Sequence, residues 1–275
     1  MFIRSARLGF AALALAGSAA AQAVPTTQPM YIDIFREFEK PGHSAAHQAT
    51  ETRWASLNRD VGYPYPYLAY VAISGAPEIW WVTALESFDA FGKSNSFAAD
   101  NATYRQSIAK VAMEDGEHIS GSIRMQARAM PGAGSGSFPE LGKMRVYSIL
   151  TVRMRPGHGG AFAEIAKHYA AIVVGSGAVG WRAYEVMTGA PAGTYLVFSS
   201  FPSWAAVDAN EAAWGKAMAG AGAHMVEAGK LAKESIMSSD SRYFEVNPSM
   251  SLVSKEMAAA DPFWAPKAAA TKRAP

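Results

Sequence analysis

An α+β fold built from two tandem copies of one β-α-β-β-α-β plan is what this 275-residue sequence predicts, and three observations carry the prediction. Pro41-Gly42-His43 returns as Pro156-Gly157-His158, 115 positions on. The strand-like YLAYVAISGAP (Tyr67 to Pro77) returns as WRAYEVMTGAP (Trp181 to Pro191), with Gly75 and Gly189 114 apart. The Ser87-Phe88 step of ESFDAF returns as Ser200-Phe201 of SSFPSWAAV, 113 apart. Matches in one order, with an offset drifting by one residue per loop, mark an internal duplication.

The chain opens MFIRSARLGFAALALAGSAAAQAV, where Arg4 and Arg7 precede an apolar run and Ala19 and Ala21 satisfy a small-residue cleavage rule before Gln22. Residues 1–21 therefore read as a cleavable signal peptide, too short in its apolar run to be an anchor, and predict a periplasmic or secreted protein cleaved near Ala21. The first copy (30–130) and the second (143–248) then follow one plan. Met30 to Lys40 and Met144 to Arg155 are rich in β-formers, and Pro-Gly turns launch helices over 43–58 and 158–174. Second strands (65–74; 180–188) pass through Gly-Ala-Pro turns into third strands (79–85; 194–199). More helix (88–118; 202–234) leads to short closing strands (123–130; 242–246). This order is the ferredoxin-like arrangement. Residues 131–142, PGAGSGSFPELG, read as a Gly/Ser/Pro linker, because their spaced glycines precede a strand and not the helix a dinucleotide loop needs. Residues 249–275 read as a flexible tail in which Phe263 and Trp264 could dock.

Composition narrows the function classes. There is no cysteine, hence no disulfide framework and no thiolate chemistry. Removing residues 1–21 takes away Arg4 and Arg7 from 25 basic residues, leaving 23 against 23 acidic ones. A neutral surface lacks the counterion-release term that drives nucleic-acid binding, so no nucleic-acid partner is expected. No membrane is expected after cleavage either, since the most apolar later stretch, 161–180, is interrupted by Glu164, Lys167 and His168.

The Pro-Gly-His turn, the Gly-Ala-Pro hairpin and the Ser-Phe step into the second helix resemble the dimeric α/β-barrel superfamily, notably its NIPSNAP-like and antibiotic-biosynthesis-monooxygenase-like branches. The resemblance implies two ferredoxin-like units whose sheets pack face to face, here on one chain, as a monomeric pseudo-dimer or a homodimer. It also implies a range of activities, from cofactor-independent oxygenases and haem enzymes to isomerases, so fold does not choose the function.

One copy serves as a control for the other. His43-x3-His47-x3-Glu51 has the helical spacing of a divalent-metal site. Aligned at Pro-Gly-His, His43 matches His158, whereas His47, Thr50 and Glu51 match Phe162, Ile165 and Ala166 of a buried apolar stripe. His43 thus reads as a repeated helix-start residue. On the first strand Tyr31, Asp33, Phe35, Glu37 and Glu39 share a face where the second copy has Val146, Ser148, Leu150, Val152 and Met154. If that face meets the helix, Asp33 and Glu37 approach His47 and Glu51 in a polar, solvent-reached pocket; a register slip of one residue would turn them to solvent instead. His47, Glu51 and Glu37 are the catalytic candidates, with His47 as general base, and Trp54, Asp33, Tyr70 and Trp81 the ligand-binding candidates. The alternatives are a satisfied structural histidine, or a metal held by His43, His47 and Glu51. The aromatic stretches 62–70 and 79–81 suit either a flat apolar ligand or simple core packing.

Three readings follow. The first is an exported small-molecule enzyme, monooxygenase-like and cofactor-independent, acting on an aromatic substrate in the first copy. The second is a non-catalytic binder of a metal, haem or apolar ligand. The third is an envelope scaffold.

Overall fold

The two Pro-Gly turns show why each half begins alike: Gly42 and Gly157 have φ of 81° and 82°, a left-handed conformation that glycine adopts without a Cβ clash. The computed structural model describes residues 25–265. The expected signal peptide, residues 1–21, lies outside them.

The first half runs β1 (Tyr31–Glu39), α1 (Ser44–Asp60), β2 (Tyr67–Ala72), β3 (Glu78–Leu85), α2 (Phe88–Asp100), α3 (Ala102–Gly116) and β4 (Ile119–Ser135). The second repeats the order as β5 (Val146–Met154), α4 (Ala161–Val173), β6 (Trp181–Thr188), β7 (Thr194–Phe201), α5 (Trp204–Ala219), α6 (Gly222–Ser235) and β8 (Ile236–Val246), with α7 (Lys255–Ala260) after it. The helical stretch expected over 88–118 is broken at Asn101, whose side chain caps α3 by accepting from Tyr104 N at 2.9 Å. Its partner over 202–234 is broken between Ala219 and Gly222.

The strands form one closed antiparallel barrel, in the order β1-β3-β2-β8-β5-β7-β6-β4. The resemblance implied two sheets packed face to face; here they join edge to edge instead, β2 to β8 through Tyr70↔Val246 and β4 to β6 through Arg128↔Glu185. Closure satisfies the edge N–H and C=O groups that two separate sheets would leave unpaired. Inside the barrel lie Ile32, Ile34, Tyr70, Trp80, Tyr147, Ile149, Tyr184, Leu196 and Phe244. By strand alternation the other face of β1, carrying Asp33, Glu37 and Glu39, meets the helices outside.

Three expectations are corrected. The Ser87-Phe88 step corresponds to Ser203-Trp204 and not to Ser200-Phe201: Ser87 and Ser203 cap α2 and α5, accepting from Ala90 N and Ala206 N, whereas Ser200 and Phe201 end β7. The supposed linker is half strand, because β4 continues through Gly134↔Arg182 and Ser135↔Trp181. Gly134 permits that approach, since a Cβ there would stand 2.9 Å from the Trp181 carbonyl oxygen. The tail is not loose over its described part: Met250, Leu252, Met257 and Trp264 are buried, and the Trp264 indole N–H donates to Gly142 O at 2.7 Å. Apolar side chains covering the barrel end outweigh the entropy of ordering that segment.

Candidate functional site

His47 is fully buried. Helix α1 turns His47, Thr50 and Glu51 inward, and β1 presents Glu37 and Glu39 from below. His47 Nδ1 lies 3.1 Å from Glu39 Oε1; its Nε2 lies 3.1 Å from Glu37 Oε2 and 3.4 Å from Asp115 Oδ1. Ser44 donates to Glu39 at 2.8 Å and Thr50 to Asp115 at 3.2 Å. The Trp81 ring meets the imidazole edge to face at 6.0 Å. Glu51, 7% exposed, has no hydrogen-bond partner among the described residues.

The electrostatics follow from four carboxylates around one imidazole. Burial alone would drive His47 down, but hydrogen bonds to Glu37 and Glu39, with Asp115 nearby, outweigh it and raise its pKa to about 10. Burial pushes Glu37 and Asp115 up, more than His47 pulls them down. Glu51 is pushed well up, by burial first and then by the charges of Glu37 and Asp115. For Glu39, burial is overcome by the hydrogen bonds from His47 and Ser44, and its pKa falls.

The structure brings His47, Glu37, Glu51 and Trp81 together. It sends the other candidates elsewhere. Asp33 shares the β1 face but is held by Arg124 Nη2 and Gln126 Nε2, each at 2.8 Å. Trp54 is half-buried further along α1. Tyr70 lies inside the barrel, stacked on Tyr147 at 4.3 Å. His43 pairs with His118, Nδ1 to Nδ1 at 3.1 Å, so the metal set His43, His47, Glu51 is not assembled. A solvent-reached pocket around a neutral His47 base is not what forms either: the imidazole is sealed, both nitrogens face carboxylates, and it is held protonated.

Asp115 is the member that sequence reasoning missed. Its signal was available. Asp115 stands four residues before Ile119, which opens β4, and Ala232 four before Ile236, which opens β8, so a charge again replaces a small apolar residue. Glu37, His47, Glu51 and Asp115 each offer one ligand atom, all within 4.8 Å of one another.

The second half carries the opposite arrangement. Val152, Phe162 and Ala166 occupy the matching positions in an apolar cluster with Trp181 and Tyr195. Beside it a cleft of about 560 Å³ opens between the sheet and α4, α5 and α6, lined by Phe162, Tyr169, Trp181, Trp214, Met218 and Tyr243 among others. Helix α5 buries Val207 alone, which leaves the space under it free. In the first half Tyr63, Phe97 and Tyr104 pack together near the equivalent helices, with ring centroids 5.1 to 6.4 Å apart. Trp181 lines the cleft, and its indole N–H is buried without an acceptor among the described residues.

No protein-family model matches the chain, and no curated protein matches it in sequence. Solved structures share its fold. Two proteins described as "putative monooxygenase" align with it: one from Lactobacillus acidophilus, at TM-score 0.51 and 7% identity over 79% of this chain and 94% of that one, and one from Fusobacterium nucleatum, at 0.52 and 9% over 78% and 91%. An anthrone oxidase-like protein aligns at 0.51 and 10% identity over 81% of this chain and 94% of that one. The chain has the dimeric α/β-barrel fold that the resemblance implied, with its strands closed into one ring.

Proposed function

We propose that this chain is an exported small-molecule-handling protein that binds a flat, ring-containing molecule in the cleft of its second half. In this reading two tandem ferredoxin-like units, 31–135 and 146–246, close the barrel within one polypeptide, as a monomeric pseudo-dimer. The strand orders β4-β1-β3-β2 and β8-β5-β7-β6 within the ring support that division.

The observation that carries the proposal is the cleft. Its volume of about 560 Å³ falls within the range of small-molecule sites, roughly 300–1,000 Å³, and its walls are aromatic. Tyr169 and Trp214 lie nearly parallel, with centroids 6.2 Å apart. The Trp181 ring forms part of the wall, and its buried indole N–H has no acceptor among the described residues, which costs on the order of 1–3 kcal/mol. Monooxygenase-like chemistry is the reaction class: a ring CH₂ becomes C=O, one atom of dioxygen entering the ring and the other leaving as water. Glu211 is the one carboxylate among the lining residues and takes the role of proton acceptor.

Tryptophan fluorescence titrated with anthrones and naphthols tests binding, and dioxygen uptake tests turnover. Saturable quenching that weakens in Trp181→Phe, with uptake lost in Glu211→Gln, supports the proposal. Quenching without uptake makes the protein a non-catalytic binder. No quenching across the panel removes the reading.

A further inference from the structure

We infer that Glu37, His47, Glu51 and Asp115 form a binding site for a divalent first-row transition ion, with Glu39 as the residue that orients His47. The inference stands apart from the ring-binding cleft, which lies in the other half.

Two of the distances match the edges of a coordination shell, and the other ligand atoms lie close enough to close around an ion. An ion about 2.1 Å from nitrogen and oxygen ligands sets ligand-to-ligand edges of roughly 3.0 Å in an octahedron and roughly 3.4 Å in a tetrahedron. The edges from His47 Nε2 are 3.1 Å to Glu37 and 3.4 Å to Asp115. All four ligand atoms lie within 4.8 Å of one another. Glu39 fixes the other ring nitrogen, and Ser44 fixes Glu39, which is the carboxylate–imidazole relay that aims a histidine at a metal.

A second, independent observation is the Glu51 carboxylate, 7% exposed and without a hydrogen bond among the described residues. A carboxyl buried without a donor keeps its proton until a cation arrives to hold its charge, so Glu51 is free to become a ligand. The fold does not require it there, because Val152, Phe162, Ala166 and Ala232 fill the matching places of the second half. Three carboxylates and one imidazole suit Mn²⁺, Fe²⁺ or Zn²⁺ and give a thiol-seeking ion nothing to bind.

The purified protein is stripped with a chelator and given Mn²⁺, Zn²⁺ or Co²⁺, both by titration and by refolding from urea with the ion present, because His47 is sealed. The expected result is one equivalent bound, with protons released. Glu51→Gln, which keeps the volume and removes the charge, then weakens binding at least about tenfold, while His43→Ala and His168→Ala leave it unchanged. Failure to bind any of the three ions at millimolar concentration overturns the site. So does equal binding by Glu51→Gln, or loss of binding in His43→Ala or His168→Ala, which would place the ion on the half-buried pair His43–His118 or the exposed pair His168–His224. If Glu51→Gln does not fold, the Co²⁺ spectrum of the unaltered protein decides: bands of a mixed nitrogen and oxygen shell support the site, and the aqua-ion spectrum overturns it. Failure here leaves ring quenching untouched, so the two readings fall separately.

Discussion

Glu39 and His47 are tied through Nδ1 at 3.1 Å, and the tie leaves Nε2 facing Glu37 and Asp115. Removing the Glu39 charge therefore acts through His47. In Glu39→Gln a neutral amide oxygen replaces one of the two carboxylates that hold the imidazole up to about 10, and its pKa falls. NMR titration of the His47 ring checks this, and metal affinity is expected to fall about 10–100-fold alongside.

Stability of the ion-free protein should fall as pH rises from about 6 to about 10. The sign follows from linkage. His47 is raised in the folded state, so its contribution is complete below its unfolded value of 6.5 and is lost as pH passes about 10. Glu37, Glu51 and Asp115 are raised too, so the folded chain keeps protons that the unfolded chain releases, which also costs stability with rising pH. Glu39, lowered, acts the other way, but it is lost only as pH falls through its folded value, below this window. Each retained proton is worth about 1.4 kcal/mol per pH unit. With the ion bound the trend reverses, because ion and protons compete. Thermal melting across that range, with and without chelator, is the measurement.

His47→Ala alone leaves carboxylates facing one another without their cation and should cost about 3–5 kcal/mol. The combination Glu37→Val, Glu39→Met, His47→Phe, Glu51→Ala and Asp115→Ala copies the second half at these positions, and should restore or exceed the starting stability while abolishing ion binding. Urea unfolding of the two variants distinguishes a retained polar site from an ordinary structural ion pair.

Trp264 is 3% exposed, and its N–H is satisfied by Gly142. Trp264→Ala should cost about 3–5 kcal/mol. A cost near zero in thermal or urea unfolding would mean that the tail does not cover the barrel end.

Much of this architecture was legible in the chain because repetition is a one-dimensional signal. Gly42 and Gly157 recur because both turns need a positive φ, and Gly75 and Gly189 recur at φ of 81° and 83° for the same reason. The internal alignment also exposed His47 and Glu51, since charge in place of Phe162 and Ala166 contradicts the apolar stripe. It erred where local text misled. Gly and Pro in 131–142 suggested a linker because composition does not report that Gly134 admits a neighbouring backbone. Asp33 sat on the right face, but only the register Asp33↔Gln126, with Arg124 beside it, shows its charge already neutralised.

The repeated order of elements, the inward face of α1 and the polar substitutions on it were readable along the chain, because periodicity and internal comparison depend on residue order. Three features come from packing alone: the strands close into one ring, Asp115 from α3 completes the His47 cluster, and the open cleft lies in the second half. Each depends on distances between residues far apart in sequence, which packing sets and local pattern does not record.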